Sequence, residues 1–407
     1  MIASISRARL DALHPGERDV TAIAPCARGG RAHANASTRT CEQVHSYAYK
    51  SPNSSVGERL ALHAFWDYLV RTFCPHWVAP NAITVCGFAF CCASYASVWM
   101  TSPELTFASA RWRYAAHAAC MFAYQTLDGC DGKQARRTKS GSPLGEVIDH
   151  GCDALAMCVY PLIVCDIFAV GWGDASAKAA VVCTMLSGRG LFVVDTVASA
   201  YTGVLPVSKL FDSQEIQFLS QIFFVVAAIF GNSMLSIVVR LPFVGAVTVG
   251  TILACISYFF GVLARIVTFF GTFLGRKDKE PAHWPKHRSP LKILLACTLV
   301  EAFHGACLFY APNFAYAHAT SSILYGESEA RIMSIRVSDP DFPVVNYLAL
   351  FIMYLTTRVP LGDAFSSGIL LGAALFILIH RVSNLAAQIT GCLGLHPNIF
   401  LLRPKTA

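Results

Sequence analysis

The sequence predicts an all-α fold: a polytopic membrane bundle of about ten transmembrane helices, preceded by an amphipathic helix lying in the interface. Three observations predict it. Of 407 residues, 55% are hydrophobic and only 14% charged, against roughly a quarter charged in an ordinary soluble domain. Mean hydropathy is +0.49. Apolar stretches of about twenty residues recur along the chain, the length of helix that crosses the hydrocarbon core. The formal net charge of +7 is scattered over short loops and a polar N-terminal segment, so membrane topology explains it and no nucleic-acid partner is expected.

Residues 1–45 are rich in Arg, Ala and Ser and lack an apolar run long enough for a signal-peptide core, which predicts a flexible basic cytosolic tail. Residues 46–407 then form one membrane domain. From Gly57 to Phe73, apolar residues recur at helical spacing (Leu60, Leu62, Phe65, Trp66, Leu69, Val70) among polar ones, as in an interfacial helix. Spans are expected at about 82–100, 114–130, 143–171, 177–203, 216–238, 243–274, 290–312, 316–337, 342–358 and 368–390. The segment 316–337 carries Glu327, Glu329 and Arg331 and is tenable only if they face the bundle interior or the aqueous boundary. Basic loops after the second and sixth spans (Lys133, Arg136, Arg137, Lys139; Arg276, Lys277, Lys279, Lys286, Arg288) put both on the cytosolic side with the N-terminus. The Asn35 and Asn53 glycosylation triplets would then stay unmodified. Most of the sixteen cysteines sit in apolar segments without any C-x-x-C pair, so neither structural zinc nor an essential disulfide is expected.

The chemistry concentrates in Leu127 to Ala154. Asp128 and Asp131 are spaced i, i+3, and Asp149 and Asp153 i, i+4, each pair on one helix face. Pro143 suits the first turn of a helix, so a helical hairpin would bring the four carboxylates together. Four carboxylates at a membrane boundary repel one another unless cations neutralise them. All-oxygen ligands suit Mg²⁺, Mn²⁺ or Ca²⁺ rather than zinc, and two such ions can bridge a diphosphate. Gly129 and Gly132 leave room for a phosphate to approach the backbone, and Arg136 offers it a bidentate fork.

The pattern Asp128-x-x-Asp131-Gly132-x-x-Ala135-Arg136-x8-Gly145-x3-Asp149-x3-Asp153 resembles the signature of the CDP-alcohol phosphotransferases at every fixed position. The strings DGKQARR, SPLGE and DHGCD are similar to the eukaryotic choline/ethanolamine phosphotransferase branch, as is Ala79-Pro80-Asn81-x-x-Thr84 at the entry to the first span. Beyond Ser213, Gln214 and Glu215 the likeness thins. The resemblance implies transfer of a phosphoalcohol from CDP-ethanolamine or CDP-choline to diacylglycerol or an ether-linked analogue, with release of CMP. It also implies two Mg²⁺ or Mn²⁺ ions, a homodimer, and an endoplasmic reticulum or Golgi membrane with the site towards the cytosol.

On this reading Asp128, Asp131, Asp149 and Asp153 hold metal, and the wider family suggests Asp153 as the base as well. His150 is the favoured alternative, since a metal-bound carboxylate is a poor base. Glu146, one turn earlier, would orient its imidazole. Gly132, Arg136 and Gly145 line the diphosphate site. Asn81 contacts cytosine or ribose, or else caps a helix. Tyr124 lines the nucleotide pocket, or else anchors at the interface. Glu301 and His304 form an E-x-x-H pair read as hydrogen bonding inside a helix. Two rival functions share the aspartates. An intramembrane prenyltransferase needs no Gly-x-x-Ala-Arg after its first pair. A cation transporter favours acids at the bilayer midplane rather than beside a basic loop, and a scaffold need not keep the signature intact.

Overall fold

A computed structural model of the chain describes residues 38–47, 62–103, 105, 110–168, 170–205, 213–241, 245–271, 284–285, 287–395, 398 and 400. Most of the expected tail, Asn35, Asn53, the start of the amphipathic segment and most of the loop after the sixth span lie outside them. The architecture is helical: α1 (Thr38–Ser46), α2 (His63–Phe73), α3 (Pro80–Thr101), α4 (Arg111–Thr138), α5 (Pro143–Ile167), α6 (Ala175–Thr202), α7 (Ser213–Phe230), α8 (Val249–Phe269), α9 (Pro290–Tyr310), α10 (Phe314–Val337), α11 (Tyr347–Leu355) and α12 (Ala364–Leu393).

Each of the ten expected spans falls on one of α3 to α12. Among the described residues five, namely α3, α5, α6, α9 and α12, are long and apolar enough to cross a membrane. The segment expected at 342–358 is helical for nine residues only, a rise of about 14 Å against a hydrocarbon core of about 30 Å. One element departs from the all-α expectation. Between α7 and α8 the apolar sequence forms an antiparallel hairpin of β1 (Val238–Leu241) and β2 (Gly245–Thr248), with Val238 opposite Thr248 and Leu241 opposite Gly245. A β-branched run of Ile237, Val238 and Val239 favours strand over helix there.

Helix ends follow local chemistry. Pro143 opens α5, and the Ser142 hydroxyl caps it by accepting from the Gly145 amide at 3.2 Å. Lys139, left-handed at φ 54°, closes α4. The short turn makes the expected hairpin, but α3 packs against both α4 and α5, which have little contact with each other. The core is built from buried Cys91, Tyr114, Met121, Ile163, Ile167, Val181 and Met185. At its far end Arg113 and Asp166, both almost fully buried, form an ion pair.

Two readings of the N-terminal region change. The expected tail ends in α1, which packs Val44 against Leu144, Val147, Val337 and Leu385. Contrary to the expectation of no important disulfide, Cys41 of α1 is bonded to Cys392 of α12, 351 residues away in sequence. Neither cysteine belongs to a recognisable motif, and only the packing of α1 on the end of α12 brings them together. Other cysteines behave as expected: Cys91, Cys158, Cys165 and Cys297 are buried free thiols in the apolar interior.

Candidate metal and phosphate site

Helical spacing aligns Asp128 with Asp131 at the end of α4, and the turn returns Asp149 of α5 to the same place. Ligand oxygens of Asp128, Asp131 and Asp149 all lie within 4.8 Å of one another. Asp131 is buried and accepts a hydrogen bond from the Thr84 hydroxyl of α3. The Oδ1 of Asp149 is buried with no hydrogen-bond partner among the described residues. Such an oxygen is costly to bury unpaired, and three gathered carboxylates repel, so the cluster fits a divalent cation with oxygen ligands. Asp153 follows one turn farther along α5, where the buried Tyr124 donates to its Oδ1. Tyr124 therefore orients a carboxylate from within the protein and is no exposed interfacial anchor.

Around the triad, a Cβ on Gly132 would lie 3.5 Å from Nη1 of Arg136, whose guanidinium folds back over that glycine. A Cβ on Gly145 would lie 3.4 Å from Oδ1 of Asn81. Asn81 is the second residue of α3, after Pro80, and the N-cap position belongs to Ala79; its alternative reading as a cap fails. Gly129 serves packing instead of phosphate approach, because a Cβ there would sit 2.3 Å from the indole of Trp66 in α2. Two basic residues near the end of α4 also secure α2. Lys133 pairs with Asp67 at 3.0 Å, and Arg137 donates to the carbonyls of Val70 and Cys74 at 2.8 and 2.6 Å.

His150 is buried, and its ring stacks on Phe192 with centroids 4.4 Å apart. Its Nε2 lies 2.8 Å from the Thr196 hydroxyl and 3.8 Å from Oε2 of Glu329. Glu146 does not orient this imidazole as expected. Arg336 holds one of its oxygens at 2.8 Å and the Tyr47 hydroxyl donates to the other, and the guanidinium makes this a charge-assisted contact. Thr196 of α6 takes the expected place. No motif announces Thr196, Tyr47 or Arg336. Glu329 had a signal, an acid in an otherwise apolar segment. Glu301 and His304 are buried 3.6 Å apart, with Arg189 at 3.8 Å from Glu301.

A family model described as CDP-alcohol phosphatidyltransferase matches residues 77–263. Among curated relatives, the chain is 33% identical over 291 residues to a Dictyostelium discoideum protein named uncharacterized CDP-alcohol phosphatidyltransferase class-I family protein 2, covering 71% of this chain and 67% of that one. It is 32% identical over 280 residues to cholinephosphotransferase 1 of Gallus gallus, covering 67% of this chain and 78% of that one. Against choline/ethanolaminephosphotransferase 1 of Arabidopsis thaliana identity rises to 47%, over 113 residues that span 28% of this chain and 29% of the relative.

Proposed function

The chain belongs to the CDP-alcohol phosphatidyltransferase family, and from that premise we propose that it transfers phosphoethanolamine or phosphocholine from CDP-ethanolamine or CDP-choline to the free hydroxyl of diacylglycerol or an alkyl-acylglycerol, releasing CMP. The observation that carries the reading is the triad of Asp128, Asp131 and Asp149 within 4.8 Å, rimmed by Arg136 and Gly132. Asp128, Asp131, Asp149 and Asp153 would hold two Mg²⁺ or Mn²⁺ ions, whose positive charge would neutralise the diphosphate and the departing CMP.

The protein's own residues supply binding and proton transfer. Arg136 offers two N–H donors to a phosphate oxygen, and Asn81, against Gly145 at the mouth of α5, is placed for the nucleoside. The lipid hydroxyl oxygen attacks the phosphorus of the phosphoalcohol, and the bond from that phosphorus to the CMP oxygen breaks. The electron pair of that bond leaves with CMP. His150 receives the hydroxyl proton, and the hydrogen bonds select the atom. The Thr196 hydroxyl donates to the Phe192 carbonyl at 2.8 Å, so its one proton is committed and Nε2–H of His150 must donate to it. The basic lone pair is then on Nδ1. Asp153, tied to Tyr124, is the weaker candidate for the base.

We place α4, α7, α8 and α10 in the membrane alongside the five apolar helices, α2 in the interface, and the Asp cluster at the cytosolic face of the endoplasmic reticulum or Golgi. The basic residues at the end of α4 and the start of the following turn support that sidedness, and a homodimer is the assembly the resemblance implies. The test is CMP release and lipid product from each donor, with the protein in detergent, diacylglycerol and Mg²⁺ or Mn²⁺. EDTA, Asp131→Ala and Asp149→Ala are each expected to abolish turnover. No CMP from a folded protein, or near-normal turnover in either folded variant, refutes the proposal.

A further inference from the structure

A second polar centre lies beside His150, between α6, α9 and α10. Glu301 and Glu329 line a narrow cavity there, walled otherwise by Ser328 and the apolar Val193, Cys297, Val300, Ile332 and Val344. Glu329 is 0% exposed and Glu301 6%. All four of their carboxyl oxygens are buried without a hydrogen-bond partner among the described residues.

Several neighbouring donors are already committed, although His304, 3.6 Å from Glu301, keeps both ring nitrogens without a partner among the described residues. Ser328 donates to the Leu324 carbonyl and Tyr325 to the Arg189 carbonyl. The two terminal nitrogens of Arg189 donate to Ser321 and Ser322. Arg189, at 3.8 Å, and Arg265 compensate Glu301 electrostatically, whereas Glu329 faces the ring of His150 at 3.8 Å. Buried acceptors without donors are costly. An occupant that suits Glu329 brings N–H donors to its unpaired oxygens.

We propose that this cavity binds the primary ammonium of an ethanolamine headgroup, with Glu329 as the principal acceptor and Glu301 as the second. The inference rests on the transfer reaction proposed above and names the headgroup that this chain prefers. Three features favour a primary over a quaternary ammonium. Four unpaired acceptor oxygens can use N–H donors that a trimethylammonium lacks. No aromatic side chain lines the cavity among the described residues, whereas quaternary ammonium groups are recognised by aromatic faces. The floor has room for one water-sized group and not for three further methyls. The cavity also adjoins the proposed base: Glu329 lies 3.8 Å from Nε2 of His150.

The test compares kcat/KM for CDP-ethanolamine and CDP-choline, with diacylglycerol as acceptor, in the full-length protein and in Glu329→Gln. The unaltered protein is expected to prefer CDP-ethanolamine. In Glu329→Gln the ratio of the two kcat/KM values should fall roughly tenfold or more, through KM for CDP-ethanolamine, because a charge-assisted hydrogen bond becomes a neutral one. Should Glu329→Gln fail to fold, Val300→Phe, which narrows the same cavity, should lower the same ratio. Loss of kcat with both donors equally would make Glu329 a general support of His150 and overturn the proposal. A preference for CDP-choline in the unaltered protein overturns it while leaving the transfer reaction intact. No CMP from either donor overturns both.

Discussion

Thr196→Val tests the proton-transfer geometry most directly. Thr196 is fully buried, and its hydroxyl both donates to Phe192 and accepts from Nε2–H of His150. Valine keeps nearly the same volume but removes the acceptor, leaving a buried N–H unpaired. The loss is greatest when the ring carries the extra proton, because the hydrogen bond is then charge-assisted. Such bonds contribute about 1.5–3 kcal/mol, and at about 1.4 kcal/mol per factor of ten kcat should fall roughly 10- to 150-fold. KM for the CDP-alcohol should change little, since Thr196 touches His150 and not the phosphate-binding residues. Thr196→Ser, which retains the hydroxyl, should recover most of the rate. The assay is steady-state CMP release at saturating diacylglycerol, with thermal unfolding in detergent as the check on folding. Turnover of Thr196→Val within about twofold of the unaltered protein would refute Nδ1 of His150 as the proton acceptor in this geometry.

Other outcomes follow from packing. Gly129→Ala should lower Tm, since its Cβ would meet the Trp66 indole at 2.3 Å and overpacking costs about 1–3 kcal/mol; an unchanged Tm would show that α2 yields freely. Gly132→Ala, with its nearest contact at 3.5 Å, should leave Tm nearly unaltered. Asp166→Asn should destabilise by about 3–5 kcal/mol because it strands the buried Arg113 charge, and thermal unfolding of the variant checks this. Alkylation without reductant followed by peptide mapping should recover Cys41 and Cys392 as one cross-linked species; free thiols at both positions would contradict the packing of α1 on α12.

Much of the site was legible because its key residues lie close together in sequence. Two carboxylates three or four residues apart share a helix face whatever surrounds them, and a proline after a short polar turn starts the next helix. The spacing of Asp128, Asp131 and Asp149 therefore announced their convergence. Asp153 obeys the same spacing, but the hydrogen bond it accepts from Tyr124 of α4 is announced by no local pattern. Gly129 illustrates the same limit: a glycine beside an aspartate invites a phosphate, and only the docking of Trp66 from α2 shows what fills the space.

Composition, hydropathy and local spacing by themselves determined that this chain is a helical membrane protein with a cluster of aspartates at the junction of two helices. Those properties depend on residues near in sequence and on the bilayer as solvent, so they need no knowledge of which helix packs on which. The tertiary structure alone decided that Thr196 rather than Glu146 holds His150, that Arg336 and Tyr47 claim Glu146, that Cys41 meets Cys392, and that Glu301 and Glu329 share a cavity beside the histidine. Each of those contacts joins segments tens to hundreds of residues apart. Their partners are selected by the crossing of helices, by competition among charges for the nearest counter-charge, and by the cost of leaving a buried polar atom unpaired, none of which has a signature in a linear pattern.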